Sequence, residues 1–312
     1  MTAQEYEYVR GGASHGPVVV GVDGSGTDEP AVAWAALTAA RHRVPLRVVH
    51  SNEVAVAGAV QDDPAAGSDE TLSALREHGE APRVADQLVE KVRAQYPGVD
   101  VEAVEAAGAA SQALMDKQES ALVLVVGSGR RGGIGERILG STSLNIAMHA
   151  ACPVAVVNPG VDVSAEPVGR IVVGVDGSRD SAAAAEIAWA TAAARGARVA
   201  CISTWYLEVV GGVVITDEDS EQRDVIETRQ RERVEAAIRA AREDFPDVPY
   251  DVEILNGPSS KVLAAQSDHA DVLVIGTRGR GGFAGKLLGS VSHKVLQAAR
   301  CPVVVVKSRP EK

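Results

Sequence analysis

The 312-residue chain repeats itself with a period of about 150 residues. The segment VVVGVDGS at 18–25 returns as IVVGVDGS at 171–178, and CPVAVV at 152–157 returns as CPVVVV at 301–306. A period this long makes each copy a whole domain and not one unit of a solenoid. We therefore predict two domains of one kind, at 17–158 and 169–308. A linker at 159–168 joins them, and a disordered tail at 1–16 precedes them.

The overall composition excludes several classes of protein. No apolar run approaches the ~18 residues of a membrane helix, and the first residues lack the apolar core of a signal peptide. Three cysteines do not make a disulfide framework. The formal charge is 31 − 42 = −11, which offers no general field for nucleic acid. We expect a cytoplasmic protein that binds neither membranes nor nucleic acid.

Both copies predict strands that alternate with helices. Continuous β-branched runs are typical of strands that are buried on both faces, and Ala-rich or amphipathic stretches separate them. This order predicts an α/β fold: two tandem doubly wound domains, each a five-stranded parallel sheet flanked by helices. The predicted strands are 18–22, 46–50, 99–106, 122–126 and 154–157, then 171–175, 199–202, 250–255, 272–275 and 303–306. The predicted helices are 30–41, 82–96, 109–119, 141–151 and 218–242.

A glycine signature follows the fourth strand of the second copy. Gly276, Gly279 and Gly289-Ser290 are spaced as Gly, two residues, Gly, nine residues, Gly-Ser. Glycines allow positive φ and close approach to a bulky anion, and consecutive N–H groups can form an anion nest. Gly289-Ser290 opens a predicted helix, whose free N–H groups favour phosphate. Ser290 and Ser292 add hydroxyl donors, and nearby Arg and Lys add positive charge.

An aspartate stands at the neighbouring strand end in each copy. Asp176 and Asp23 close the first strands, where doubly wound sheets place their ligands. Such a carboxylate can accept a hydrogen bond from a ribose or a base, or hold Mg²⁺ that arrives with a nucleotide. The scattered histidines predict no transition-metal site. The string GSGRRG at 127–132 matches a dinucleotide fingerprint, but it follows the fourth strand and lacks the acid about 20 residues on.

With these motifs, nearly the whole chain resembles tandem universal stress proteins of the kind found in actinobacteria. The resemblance implies a five-stranded α/β sheet, dimer-like pairing of domains, and ATP binding with Mg²⁺ as a possible companion near Asp176 and Asp23. It places Asp176 at the nucleoside or metal and Thr204 beside the adenine. It assigns the phosphates to Gly276, Gly279, Gly289, Ser290 and Ser292. The matching positions in the first copy are Asp23, Ser51, Gly127, Gly140, Ser141 and Ser143.

The first copy departs from the signature at one position. Arg130 stands where the second copy has Gly279. If that position needs positive φ, arginine costs about 1 kcal/mol or more relative to glycine. A local shift would let Gly129 take over that conformation. We therefore expect the second copy to hold the better nucleotide site.

The interpretation from sequence is a nucleotide-binding stress protein whose ATP occupancy biases its conformation or its binding of a partner. The alternatives are a slow ATPase or phosphotransferase, and a binder of cyclic nucleotide or another adenylate on the same scaffold. We assign no catalytic residue, because Asp23 and Asp176 are the only acids that the sequence places beside the site. The short apolar strands at 154–157 and 303–306 predict pairing between domains or protomers, and we expect a homodimer.

Overall fold

A computed structural model describes residues 16–52, 84–129, 139–206, 221–280 and 288–308. The predicted tail lies outside the described residues except for Gly16, and Arg130 and Lys286 also lie outside them. The chain divides into two compact units, Met1–Val163 and Ser164–Lys312, called unit 1 and unit 2 below.

Unit 1 contains a parallel sheet in the order β3-β2-β1-β4-β5. From β1 the chain adds β2 and β3 on one side and then β4 and β5 on the other. The carboxyl ends of β1 and β4 therefore form the topological switch point, where ligands bind in such folds. The described elements are β1 Val18–Val22, α1 Glu29–His42, β2 Leu46–Asn52, α2 Val84–Gln95, β3 Val101–Ala107, α3 Ala110–Met115, β4 Val123–Gly127, α4 Ser141–His149 and β5 Val154–Val157.

Unit 2 repeats this arrangement, with the strand order β10-β9-β6-β7-β8 and parallel pairing throughout. Its switch point lies between β6 and β9. The described elements are β6 Arg170–Gly174, α5 Arg179–Arg195, β7 Arg198–Trp205, α6 Glu221–Asp244, β8 Tyr250–Asn256, α7 Ser259–Gln266, β9 Val272–Gly276, α8 Ser290–Ala298 and β10 Val303–Val306.

The predicted fold class and all ten predicted strands are confirmed within a few residues. The strands β4, β5, β9 and β10 are buried along almost their whole length, as expected for a sheet covered by helices on both faces. The helix predicted at 109–119 is shorter, since α3 ends at Met115 and turns follow it. None of the described helices combines the length and the apolar character needed to span a bilayer.

A glycine near the carboxyl end of each first strand makes room for a helix side chain. A Cβ on Gly21 would stand 2.5 Å from Leu114 of α3, and a Cβ on Gly174 would stand 3.1 Å from Leu263 of α7. Glycine inside a strand is typical of such close approach. As a result, α3 and α7 pack close to the sheet, beside the carboxyl ends of the first strands.

Candidate functional site

Each unit has a cavity at its switch point. The unit 2 cavity has a volume of about 450 Å³ and the unit 1 cavity about 440 Å³. The unit 2 cavity is lined by all seven residues assigned to it from sequence: Asp176, Thr204, Gly276, Gly279, Gly289, Ser290 and Ser292. The unit 1 cavity is lined by all six of its own: Asp23, Ser51, Gly127, Gly140, Ser141 and Ser143. The fold thus brings together the residues that the sequence singled out.

The N-terminus of helix α8 opens on the unit 2 cavity. Gly289 is the N-cap, and the first intrahelical bond runs from the His293 N–H to the Gly289 carbonyl. The N–H groups of Ser290, Val291 and Ser292 therefore have no backbone acceptor among the described residues. The Gly289 N–H itself donates to the Thr277 carbonyl at 2.8 Å. Three free amides and the helix dipole make this helix end a suitable place for an anion.

The second serine of this helix end has a different use from the one expected. The Ser292 hydroxyl donates to the Gly276 carbonyl at 2.8 Å, and the Ser143 hydroxyl donates to the Gly127 carbonyl at 2.5 Å. Both serines are 5% exposed. Each hydroxyl therefore fastens its helix to the end of the fourth strand, and its proton is not free for a phosphate as the sequence suggested. The described contacts include no hydrogen bond from the hydroxyl of Ser290 or of Ser141.

Part of the signature loop after β9 is already hydrogen-bonded, so its described residues do not form the continuous free anion nest expected from the sequence. Three of its N–H groups have acceptors within unit 2: Thr277 donates to the Val306 carbonyl, Arg278 to Asp180 Oδ2 at 3.1 Å, and Arg280 to Asp176 Oδ2 at 2.9 Å. In this structure the loop is held by two carboxylates. Among the described residues, the start of α8 supplies three consecutive amides without a backbone acceptor.

The signature glycines are required by close packing and not by positive φ. Neither Gly276 nor Gly279 has a positive φ. A Cβ on Gly276 would stand 2.7 Å from the Asp180 Cβ, and a Cβ on Gly279 would overlap the Asp176 carboxylate. The argument from positive φ against Arg130 therefore fails at the unit 2 position. In unit 1, Gly129 has a φ of 93°, as the alternative of a local shift requires.

Sequence reasoning missed Asp180, which organises the back of the unit 2 site. Its carboxylate accepts the Thr277 hydroxyl and the Arg278 N–H through Oδ2, and the N–H and hydroxyl of Ser308 through Oδ1. Burial alone would raise the pKa of Asp180, but the hydrogen bonds from Ser308 and Thr277 outweigh it and lower the pKa. The carboxylate ties α5 to the ends of β9 and β10. No short motif in the sequence indicates these long-range contacts.

Unit 1 contains a second carboxylate that the sequence analysis also missed. Asp28 is 7% exposed, lines the cavity and accepts the N–H groups of Asp23 and Gly24 through Oδ2, at 2.9 and 3.1 Å. Burial, with the Asp23 carboxylate, raises the pKa of Asp28 to about 6. Burial would also raise the pKa of Asp23, but hydrogen bonding to Ser25 outweighs it and lowers the pKa. The unit 1 cavity therefore has two carboxylates in its wall.

The other end of each cavity combines apolar walls with hydroxyl groups. In unit 2 the Thr204 and Ser259 hydroxyls lie 2.6 Å apart, with Leu263 and Ile275 beside them in the wall. In unit 1 the Ser51 hydroxyl donates to the Gly108 carbonyl at 2.5 Å. The sequence analysis did not single out Ser259 and Leu263. Gly174 was a signal for Leu263, because a glycine near a strand end indicates that a side chain packs closely against it.

Positive charge in the described lining is confined to unit 2. Arg278 and Arg280 line its cavity, and the Arg278 Nε lies 3.8 Å from Asp180 Oδ2. The described lining of the unit 1 cavity contains neither lysine nor arginine. Within the part of the chain that the structure describes, no group of three or more His, Cys, Asp or Glu residues could hold a metal ion. All three cysteines are buried, which raises the pKa of the Cys152 thiol to about 11.

Comparisons with known proteins agree with this arrangement. The model of the universal stress protein family matches residues 15–158 and again 167–307. Universal stress protein Rv2005c of Mycobacterium tuberculosis is 33% identical over 301 residues, covering 94% of this chain and 97% of the relative. Universal stress protein Rv2623 of the same organism is 32% identical, covering 93% and 96%.

Solved structures show the same fold over the full length. A universal stress protein from Archaeoglobus fulgidus superposes with a TM-score of 0.62 at 18% identity, covering 96% of this chain and 98% of that chain. The protein PA1789 from Pseudomonas aeruginosa gives a TM-score of 0.61 at 19% identity, covering 94% and 92%. With two matches to the family model and relatives that align along almost its whole length, the chain belongs to the universal stress protein family, as a member with two tandem domains.

Proposed function

We propose that this chain is an ATP-binding stress protein whose unit 2 cavity takes the nucleotide, and that occupancy biases its conformation or its binding of a partner. One observation carries the proposal: the three free N–H groups at the start of α8 share a cavity with two arginines and with all seven residues that the family resemblance assigned to the site. The combination suits an anionic ligand in a chain whose formal charge is −11, because each of these groups acts at short range.

The two ends of the cavity suit the two ends of ATP. The N–H groups of Ser290 and Val291, with Arg278 and Arg280, would hold the phosphates. The apolar wall formed by Leu263 and its neighbours, with the Thr204 hydroxyl, would hold the nucleoside. Backbone and aliphatic contacts would recognise the base, since only 3% of the residues are aromatic.

Asp176 is the carboxylate in the described lining of this cavity that could meet Mg²⁺ brought with ATP. Carboxylate oxygen is a suitable magnesium ligand, and the metal would neutralise phosphate charge. At present Asp176 accepts the Ser178 N–H and the Arg280 N–H, both at 2.9 Å. Binding a metal or a ribose would compete with the bond to Arg280. Loss of that bond would release the loop from Asp176 and provide a conformational signal of occupancy.

Binding suits this cavity better than catalysis. Phosphoryl transfer needs a placed base or a residue that orients water, together with charge clamps. Asp180 lies behind Gly276, is saturated by four donors and is absent from the described lining. Asp176 is then the one described acid at the cavity, and both of its oxygens already accept backbone N–H groups.

Mass spectrometry of small molecules released from the purified protein, with calorimetric titration of ATP and Mg²⁺, tests the proposal. We expect ATP or ADP to be released, or added ATP to bind. We also expect Arg280→Ala to weaken binding about tenfold, because it removes one charge-assisted contact. Arg300→Ala is the matched control, since Arg300 is exposed and absent from the described lining. Absence of adenylate in both measurements would refute the proposal, and ATP turnover above background would favour the enzyme alternative.

A further inference from the structure

The two cavities differ in one residue of the wall beside the first strand. Asp28 follows Asp23 by five residues, and Ser181 follows Asp176 by five residues. Each of them lines the cavity of its own unit. Unit 1 therefore has a carboxylate where unit 2 has a hydroxyl.

Asp28 lines the unit 1 cavity, where its carboxyl interacts with that of Asp23 and its Oδ1 accepts no N–H group among the described contacts. Both hydrogen bonds of the carboxylate use Oδ2. Oδ1 lies 3.7 Å from the place that a Cβ on Gly127 would occupy, at the end of β4 where the signature begins. A carboxylate oxygen in a cavity wall is a strong acceptor, and a ligand that brings a donor can form a charge-assisted hydrogen bond with it.

The corresponding hydroxyl in unit 2 is already bonded. Ser181 Oγ donates to the Ser178 carbonyl at 2.9 Å and carries no charge. The charged lining groups described in unit 2 are Asp176, Arg278 and Arg280, whereas those described in unit 1 are Asp23 and Asp28. Both charged groups described in the unit 1 wall are therefore acidic, whereas Arg130 and Arg131, at the positions of Gly279 and Arg280, lie outside the described residues. A phosphate brought to the end of β4 would meet a carboxylate, which opposes binding.

We propose that the unit 1 cavity takes an uncharged, nucleoside-sized ligand that donates a hydrogen bond to Asp28 Oδ1, and that Asp28 excludes ligands carrying phosphates. One chain would then carry two ligand specificities on one scaffold, with the repulsive group as the discriminating element. The inference rests on the proposed function, since it takes unit 2 as the nucleotide site. The volume of about 440 Å³ and the apolar wall of Val49, Leu114 and Val126 suit an organic ligand of this size.

The experiment uses adenosine and ATP as probes of the full chain at pH 7.5. Calorimetry gives affinity and stoichiometry, and hydrogen exchange assigns each ligand to the start of α4 or of α8. In the wild type we expect adenosine to protect α4 and ATP to protect α8. Asp28→Ser, which installs the residue of unit 2, should tighten ATP binding at α4 at least tenfold and weaken adenosine binding there. The reciprocal Ser181→Asp should weaken ATP binding at α8 at least tenfold.

Asp28→Asn is the second variant, for the case that Asp28→Ser disturbs the fold. It removes the charge but keeps an acceptor for the N–H groups of Asp23 and Gly24. It should also admit ATP at α4. The matched control is Asp100→Asn, an exposed aspartate of the same unit that is absent from the described lining, and it should change neither ligand. Thermal melts of all variants show that the fold is intact.

Two results would overturn the inference. One is ATP protecting α4 of the wild type as strongly as α8, which would mean that Arg130 and Arg131, outside the described residues, outweigh Asp28. The other is an ATP affinity at α4 that is no higher in Asp28→Ser or in Asp28→Asn than in the wild type. Failure of ATP to protect α8 is a different outcome: it contradicts the proposed function, while adenosine at α4 still reports on unit 1.

Discussion

At the scale of single residues, the two copies of one motif obtain similar geometry from different contacts. Gly276 approaches the backbone of Asp180, whereas among the described residues its counterpart Gly127 has the Asp28 Oδ1 alone within 4 Å of an added Cβ, at 3.7 Å. From the sequence, these glycines were expected to allow positive φ and close approach to an anion. The structure replaces that reason with close packing in unit 2. Such a distinction depends on where a distant side chain lies, so local sequence could not provide it.

Gly276→Ala and Gly127→Ala form a matched pair for this distinction. The added methyl at 276 would stand 2.7 Å from the Asp180 Cβ and 2.9 Å from its backbone carbon, which cannot move without shifting α5. We expect Gly276→Ala to lower the free energy of unfolding by about 1–3 kcal/mol. Gly127→Ala should change it by less than about 1 kcal/mol. Urea denaturation of both variants measures this, and equal effects at the two sites would contradict the packing argument.

The pH dependence of stability tests the state of Asp28. The pKa of its carboxyl is about 6 in the folded chain, against 3.8 for the ordinary group, because of burial and the carboxylate of Asp23. Below the unfolded-state pKa of 3.8 the Asp28 carboxyl is protonated in both the folded and the unfolded chain, and the stability associated with the neutral carboxyl is fully present. That stability is lost as the pH rises through the folded-state pKa of about 6. The ionisable side chains of His50 on β2 and Glu105 on β3 lie 2.9 Å apart, from Nδ1 to Oε2.

Asp28→Asn removes the free-energy cost of ionising this buried carboxyl. The amide oxygen can still accept hydrogen bonds from the N–H groups of Asp23 and Gly24. We therefore expect the variant to exceed the wild type in free energy of unfolding at pH 7, by on the order of 1–3 kcal/mol. The difference should shrink as the pH falls from 6 to 4. Denaturation curves at several pH values check this. Equal stability of the two proteins at pH 7 would show that Asp28 is not held in an unfavourable charged state.

At the scale of elements, the N-terminus of α8 supplies the free donors of the unit 2 site. The sequence predicted this helix end, because Gly-Ser follows a glycine-rich loop, and the structure places it in the cavity wall. The sequence could not show that the loop amides of Arg278 and Arg280 already donate to Asp180 and Asp176. Those bonds join elements about 100 residues apart in the chain.

Ser290→Pro isolates the amide donor of that helix. Proline is tolerated at the first position of a helix, and Gly289 has φ −71° and ψ 152°, which suit a residue before proline. The helix should persist while one N–H is lost, so we expect ATP binding to weaken roughly tenfold. Ser290→Ala, which keeps the amide, should weaken it less.

Ser141→Pro makes the same change at α4, where Gly140 has φ −61° and ψ 153°, and should leave ATP binding unchanged. Calorimetry of the three variants makes the comparison. Equal affinity of Ser290→Pro and the wild type would show that the helix end does not hold the phosphates.

At the scale of the whole molecule, duplication explains most of what could be predicted. Two copies of a 150-residue pattern predicted the domain number, the parallel sheets and the place of both cavities. Divergence between the copies could not be weighed in advance: Arg130 stood out in the sequence, whereas Asp28 did not, because its importance comes from burial and from the cavity that it faces. Pairing of the closing strands, a homodimer and a cytoplasmic location stay predictions.

The central claim is that one unit of the chain holds ATP and the other does not. Calorimetric titration of the purified full chain with ATP and Mg²⁺ at pH 7.5 measures the number of sites directly. The account predicts one ATP per chain, with affinity reduced by Ser290→Pro and unaffected by Ser141→Pro. No binding would contradict the proposed function, and two equivalent sites per chain would contradict the exclusion of phosphates from unit 1 by Asp28.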